Sequence, residues 1–315
     1  MFHTKLCEVL DIKYPIIQGG MAWISESLLV AAVSNAGGLG TIGAGNWDDD
    51  TLRRDIHKTQ GFTDKPFAVN IVPLAGVNME GRINLLVDEG VRLVSTAFTD
   101  PTTRLVEKMT KKGIKVISVV PSVRLARRME DEGASIIVVS GDGAGGHTGD
   151  IATLPLVPQV VDAVNVPVVA AGGIGDGRGL MAALSLGACG IQMGTRFILT
   201  TECNCHPIIK EKILEATEED TRVTGMITGT PMRALVNPFI EDWLDKEKRQ
   251  AMTKEEFQKW GMGRYRGATV DGNWKEGTIA CGQICGMIRK VEPAKEIVER
   301  IMKEAETIYR ELGRT

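Results

Sequence analysis

Short apolar runs, separated by polar stretches with helical spacing, set the rhythm of the first two thirds of the chain. Eight runs stand out: Pro15 to Gly20, Gly38 to Ala44, Phe67 to Val72, Leu93 to Phe98, Lys115 to Val120, Ser135 to Ser140, Pro167 to Gly173 and Gly190 to Phe197. They are rich in valine and isoleucine and do not alternate apolar with polar positions, as expected of strands buried on both faces. Helical patterns lie between them, among them Ser25 to Asn35, Asp50 to Thr59, Pro101 to Gly113 and Asp176 to Ala188. Strict alternation of β and α units implies a parallel sheet. Eight such units in about 200 residues match the lower size of a closed barrel, whereas an open doubly wound sheet seldom needs eight in a row. The pattern therefore predicts an α/β fold, a (β/α)8 TIM barrel over residues 1–199.

After Phe197 the alternation stops. Residues 200–290 hold charged helical stretches, notably Ile240 to Trp260, and glycine-rich turns. They predict a smaller, mostly helical subdomain. Residues 291–315 contain apolar positions at helical spacing from Pro293 to Leu312, which predicts a closing helix packed back on the barrel.

Of the 315 residues, 43% are hydrophobic, enough for a sizeable core and too many for a disordered chain. The net charge is −3 and no basic block occurs, which argues against a nucleic-acid partner. No apolar run reaches membrane-spanning length. Charges break every apolar stretch near the start of the chain, which reads as neither signal peptide nor anchor. The six cysteines are then expected as reduced thiols in a cytoplasmic protein.

In a parallel barrel the site lies at the C-terminal ends of the strands. Gly172, Gly173, Gly175 and Gly177 follow the seventh run and precede a helix, so backbone N–H groups there can converge on an anion. Gly194 and Thr195, in the eighth run, add another N–H and a hydroxyl. Two such loops side by side are a recurrent phosphate site in barrels. The GGIGDG run is not read as a dinucleotide fingerprint, because six strands precede it and no acidic residue ends the next strand. His147 lies in a loop with Gly141, Gly143, Gly145, Gly146 and Gly149, which allow close backbone approach to a ligand. An imidazole there suits proton transfer. Cys203, Cys205 and His206 are too closely spaced for a tetrahedral metal site and lack a second pair, so no metal is expected. Cys189 stands at a strand start, away from the site end, and the glycine loop has no cysteine. Thiol catalysis of the IMP dehydrogenase kind therefore lacks its nucleophile.

Taken together, PIIQGGMAW, SNAGGLGTIGAGN, DKPFAVNI, GGHTGD, LVPQVVDAVNVPVVAAGGIGDGRG, QMGTRF, TGTPMRAL and EGTIACGQICGMI resemble the nitronate monooxygenase-like FMN flavoproteins. The likeness covers nearly the whole chain and leans towards the flavin-dependent bacterial enoyl-acyl carrier protein reductases. It implies a barrel holding non-covalent FMN under a covering subdomain. Gly20, Met21 and Ala22 would contact the flavin and Asn70 would bond to it. Gly172, Gly173, Gln192, Gly194 and Thr195 would cradle ring and phosphate, and His147 would be the proton-transfer residue. Two activities follow from the likeness. One is NAD(P)H-dependent reduction of an enoyl substrate carried on acyl carrier protein, in fatty acid synthesis, with NADH or NADPH as co-substrate. The other is oxidation of nitronates or nitroalkanes with O2. An inactive FMN-binding protein is a third reading, since Ser140 and Gly143 stand where the family usually has acidic residues. Family members commonly pair through exposed barrel faces, which implies a homodimer.

Overall fold

The computed structural model describes residues 2–45, 47–73, 77–97 and 104–313. Strands β1 (Ile16–Gln18), β2 (Gly40–Gly43), β3 (Phe67–Asn70), β4 (Leu93–Ala97), β5 (Lys115–Val120) and β6 (Ile136–Ser140) follow the sequence pattern. After a short excursion, β7 (Gly146–His147), the series resumes with β8 (Val168–Ala171) and β9 (Ile191–Met193). All strands of the series except β7 pair in parallel, in the order β1-β9-β8-β6-β5-β4-β3-β2. A parallel bridge between Ile17 and Leu39 then joins the two ends. The sheet closes into the (β/α)8 barrel that the sequence predicts. The seam is thin. Gln18 reinforces it with its side chain, which accepts from the Thr41 N–H at 3.0 Å and donates to the Thr41 carbonyl at 3.2 Å.

The core has two layers. Ile17, Leu39, Ala68, Leu93, Ile117, Val138 and Val169 fill the barrel interior together with Leu6, Cys7 and Leu10 of the helix Lys5–Leu10. That helix stoppers the N-terminal end, where the Thr4 hydroxyl donates to the Cys189 carbonyl and Lys115 Nζ to the Val9 carbonyl. The larger layer lies between the strands and the outer helices. The closing helix Ala294–Leu312 buries Ile297, Val298, Ile301, Met302 and Ala305 and packs against the helices Gly177–Ser185 and Ser27–Asn35. It occupies the outer position that the short helix Thr195–Ile198 after β9 leaves uncovered.

Three local expectations are corrected. The run Gly190 to Phe197 is a strand only to Met193. The N–H groups of Phe197 and Ile198 then fold back onto the Gly194 carbonyl and start a helix. The stretch Ile240 to Trp260 is two helices, Pro238–Lys248 and Lys254–Gly261. Gln250 turns left-handed between them (φ 50°), and Thr253 with Glu256 forms a capping box that restarts the chain. The region after the barrel also carries β10 (Thr221–Thr224) and β11 (Met232–Leu235), which form an antiparallel sheet with β7. The end of the fourth run and the start of the helix after it, residues 98–103, lie outside the described residues.

Candidate active site

The turn after β1 is held by Ser25, whose hydroxyl accepts from the Met21 N–H at 2.8 Å and donates to the Met21 carbonyl at 3.1 Å. This fixes Gly20, Met21 and Ala22, all half-buried, at the barrel mouth. Any side chain on Gly20 would collide with Asn70, so the ends of β1 and β3 meet only because of that glycine. The Asn70 amide donates to the Ser95 carbonyl and hydroxyl at 3.3 and 3.4 Å, which sets its orientation. The Gln192 carboxamide stands 3.2 Å from the point where a Gly19 side chain would begin, and Met21 Sδ stands 3.5 Å from the corresponding point of Gly194. Gly20, Met21, Asn70, Gln192 and Gly194 are thus gathered at one mouth.

The cradle beside them is open. Gly172 and Gly173 turn the chain away from β8 with φ of 94° and 73°, a conformation that favours glycine. A Cβ on Gly173 would meet no protein atom within 4 Å. Gly194 has φ −109°, in the half of conformational space that every residue uses, and Met21 Sδ is the lone atom within 4 Å of its missing Cβ. Among the described residues, no protein acceptor takes the backbone N–H of Gly173, Gly194 or Thr195. Space kept free by glycine and rimmed with unspent donors fits a bound phosphate and flavin ring.

One part of the expected phosphate site fails. The helix Gly177–Ser185 does not offer its N-terminus to a ligand. Glu304 accepts from the Gly177 N–H at 2.8 Å, and Asp176 accepts from the N–H groups of Arg178 and Gly179 at 3.0 and 3.3 Å. Gly175 packs against Ile284. Gly175 and Gly177 are therefore packing and capping positions. The Thr195 hydroxyl also has a protein partner, accepting from the Gly282 N–H at 3.0 Å.

The glycine loop after β6 faces the same mouth. The missing side chain of Gly143 would begin 3.4 Å from the Gly173 nitrogen and 3.2 Å from Gln283 Oε1, and the Gln283 N–H donates to the Gly143 carbonyl at 3.1 Å. His147 is exposed on β7, where it pairs with Met232 of β11. Two residues that lie in the family-like runs EGTIACGQICGMI and TGTPMRAL make contacts here that the sequence does not show. Gln283 lies far along the chain from the cradle it borders. Arg233, buried on β11, donates Nε to the Asp142 carbonyl at 2.7 Å and Nη1 to the Thr221 hydroxyl at 3.1 Å.

The remaining candidates serve packing. Cys203 and Cys205 are buried, and His206 Nδ1 accepts from the Ile208 N–H as a helix cap. Burial pushes the Cys189 thiol up to about 11, and its Sγ lies 3.1 Å from the Val168 carbonyl, a poor setting for a nucleophile. Cavities of about 690 and 830 Å³ lie by Trp260 and Arg264 and by Phe2 and Tyr309, and neither is lined by a mouth residue.

The strands close into a parallel barrel whose mouth carries open space and free backbone donors, the class of (β/α)8 barrels with a ligand site at the strand ends. The chain belongs to the nitronate monooxygenase family, which residues 3–76 and 71–304 match. It is 35% identical over 344 residues to (3aS,4S,5R,7aS)-5-hydroxy-7a-methyl-1-oxo-octahydro-1H-indene-4-carboxyl-CoA dehydrogenase of Mycobacterium tuberculosis, across 97% of this chain and 96% of that protein. It is 39% identical over 282 residues to a probable nitronate monooxygenase of Staphylococcus saprophyticus, across 75% of this chain and 79% of that one. The structure of FabK from Thermotoga maritima superposes with a TM-score of 0.94 at 41% identity, covering all of both chains. Among the described residues, no helix is long and apolar enough to cross a membrane.

Proposed function

We propose that this protein is an FMN-dependent, NAD(P)H-using reductase of enoyl thioesters, of the enoyl-acyl carrier protein reductase type. The observation that carries the flavin is the open cradle at Gly173 and Gly194, beside Met21 and Asn70. Support for a thioester substrate comes from the full-length likeness to FabK, the enoyl-acyl carrier protein reductase of this family, and from a relative that acts on a carboxyl-CoA. Bound FMN would supply the hydride-transfer chemistry between NADH or NADPH and the β-carbon of the enoyl thioester.

The chain's own residues bind, orient and protonate. Gly20, Met21 and Ala22 lie against one side of the ring site, with Asn70 as a fixed hydrogen-bonding group. The N–H groups of Gly173, Gly194 and Thr195 bind the phosphate, while Gly172 and Gln192 complete the cradle. His147 delivers a proton from its imidazole to the α-carbon, so that the double bond gains one hydride and one proton. Acyl carrier protein or coenzyme A as the carrier, and a homodimeric state, belong to the same proposal.

The test is an anaerobic titration. NADH or NADPH should bleach the flavin absorbance, and crotonyl thioester should restore it. A flavin that stays bleached after the thioester removes the reductase reading. The family itself and the Staphylococcus saprophyticus relative favour a second reading, oxidation of nitronates. Oxygen uptake with propionate 3-nitronate and no nicotinamide distinguishes it. A yellow protein inert in both assays would point to an FMN-binding protein without activity, consistent with Ser140 and Gly143 at positions usually acidic.

A further inference from the structure

His147 does not sit on a free loop. It is the last residue of β7, an edge strand of the small sheet β10-β11-β7, and its neighbours are tied on both sides. Met232 of β11 pairs with His147 and Arg233 with Gly146, while the Thr148 N–H donates to the Pro231 carbonyl at 3.1 Å. Two residues of pairing are too few to fix a strand. Gly145 and Gly146 add backbone freedom, with Gly146 at φ 84°. The Gln283 N–H on the Gly143 carbonyl and the Thr148 hydroxyl on the Gly141 carbonyl at 3.3 Å hold the loop locally, and Arg233 adds a side-chain tie to the covering sheet. Its side chain is 8% exposed. Nε donates to the Asp142 carbonyl at 2.7 Å, where the chain leaves β6, and Nη1 donates to the Thr221 hydroxyl at 3.1 Å on β10. One guanidinium thus joins the root of the glycine loop to the far strand of the sheet that carries His147. Both acceptors are neutral, so the contact is a matter of geometry, which the rigid fork of arginine suits better than a lysine ammonium.

We infer that Arg233 is a positioning residue for His147: it holds the glycine loop against the covering sheet so that the imidazole faces the mouth. This rests on the reading of His147 as the proton-transfer residue, but the placement of the ring can be measured without turnover.

The experiment uses the flavin-loaded protein in three variants, Arg233→Met, Arg233→Lys and Thr221→Val. The chain has four histidines, so ring resonances of 15N-histidine-labelled protein can be assigned by replacing each in turn. Arg233→Met should shift and broaden the His147 ring signals, leaving those of His3, His57 and His206 in place. In rapid mixing, reoxidation by crotonyl thioester should slow about 10- to 100-fold, the scale of a catalytic group displaced by about 1 Å. Flavin content and the rate of reduction by NAD(P)H should stay within about twofold, since the cradle does not use this loop contact. Arg233→Lys should recover part of the rate, because it keeps the charge and a single donor. Thr221→Val should show the same pattern more weakly, and it carries the test if Arg233→Met does not fold. Unmoved His147 resonances in folded Arg233→Met overturn the inference, as does loss of flavin from that variant. Moved resonances with unchanged reoxidation keep the positioning role of Arg233 and remove the proton-transfer reading of His147 instead.

Discussion

Gly194 is a glycine that the protein around it does not demand. Its φ of −109° suits other residues, and a Cβ there would meet a sulfur atom at an ordinary contact distance of 3.5 Å. A valine should therefore fold with little loss, yet its side chain would enter the cradle. Gly194→Val is expected to show a normal circular dichroism spectrum and to purify colourless. A folded, fully flavinated Gly194→Val would remove the cofactor site. The opposite logic holds for His147, which lies on the loop and not in the cradle. His147→Ala should keep its flavin and its rate of reduction by NAD(P)H. Reoxidation by enoyl thioester should fall about 10²- to 10⁴-fold, the usual scale for losing a general acid. Equal reoxidation rates in the two proteins would leave His147 without a role in proton transfer. Both residues are legible in the sequence because glycine clusters at strand ends are distinctive. The contacts of Arg233 and Gln283 are not, because Asp142 lies 91 residues from Arg233 and Gly143 lies farther still from Gln283, and nothing local marks side chains that reach so far.

At the level of elements, each barrel strand is legible because burial on both faces gives a short, largely apolar run without alternation, richest in Val and Ile in β5, β6 and β8. The strands β7, β10 and β11 have no such signature. They are two to four residues long, and sequences such as TRVT and MRAL mix charge with apolar positions. The capped start of the helix Gly177–Ser185 is also hidden, since Glu304 comes from the closing helix. That closing helix is pinned beside the cradle by a charge cluster centred on the buried pair Arg196 and Glu292. Arg196, next to Thr195, donates to Glu292 at 3.2 Å, and Lys290 lies 2.9 Å from the same carboxylate, with Arg300 as a third partner. Burial pushes the Glu292 carboxyl up, but hydrogen bonds from Arg300 and Lys290 and the charges of Arg300 and Arg196 outweigh it and hold the pKa at about 2. An unfolded glutamate titrates near 4.5. A depressed carboxylate of this kind stabilises the fold fully above the unfolded value, and the contribution is lost as pH falls towards the folded one. Glu292→Gln should cost about 3 kcal/mol near neutral pH, because it leaves Arg196 buried without its counter-charge. The difference in Tm between wild type and variant should shrink from about pH 6 to about pH 3. A constant difference across that range would mean that Glu292 is not charged in the folded protein.

The molecule as a whole is a ring with one weak joint. Every neighbouring pair of barrel strands other than β1 and β2 has a ladder of two or more registered residues, whereas these two share the single bridge Ile17 to Leu39 and the side chain of Gln18. The proposed flavin contacts straddle this joint. Gly20 to Ala22 follow β1, the Gly43 N–H donates to the Ser25 carbonyl of the same turn, and Asn70 stands beyond β2 on β3. A ligand that touches both sides should act as a clasp. A ligand bound only to the folded state and present at about 100 times its Kd adds about 2.7 kcal/mol of stability. Adding FMN to the apoprotein is therefore expected to raise Tm by several degrees. Amide exchange should slow most at residues 19–22 and 39–43, with little change in β4 and β5, whose five-residue ladder is already complete. FAD should bind much more weakly, because the mouth offers one phosphate cradle and the helix end beside it is closed by Asp176 and Glu304. Heat-released cofactor should accordingly elute as FMN. Uniform protection over the whole barrel would show that the flavin stabilises the fold without clasping the joint, and FAD in the released fraction would show that the cradle extends further than Gly173, Gly194 and Thr195.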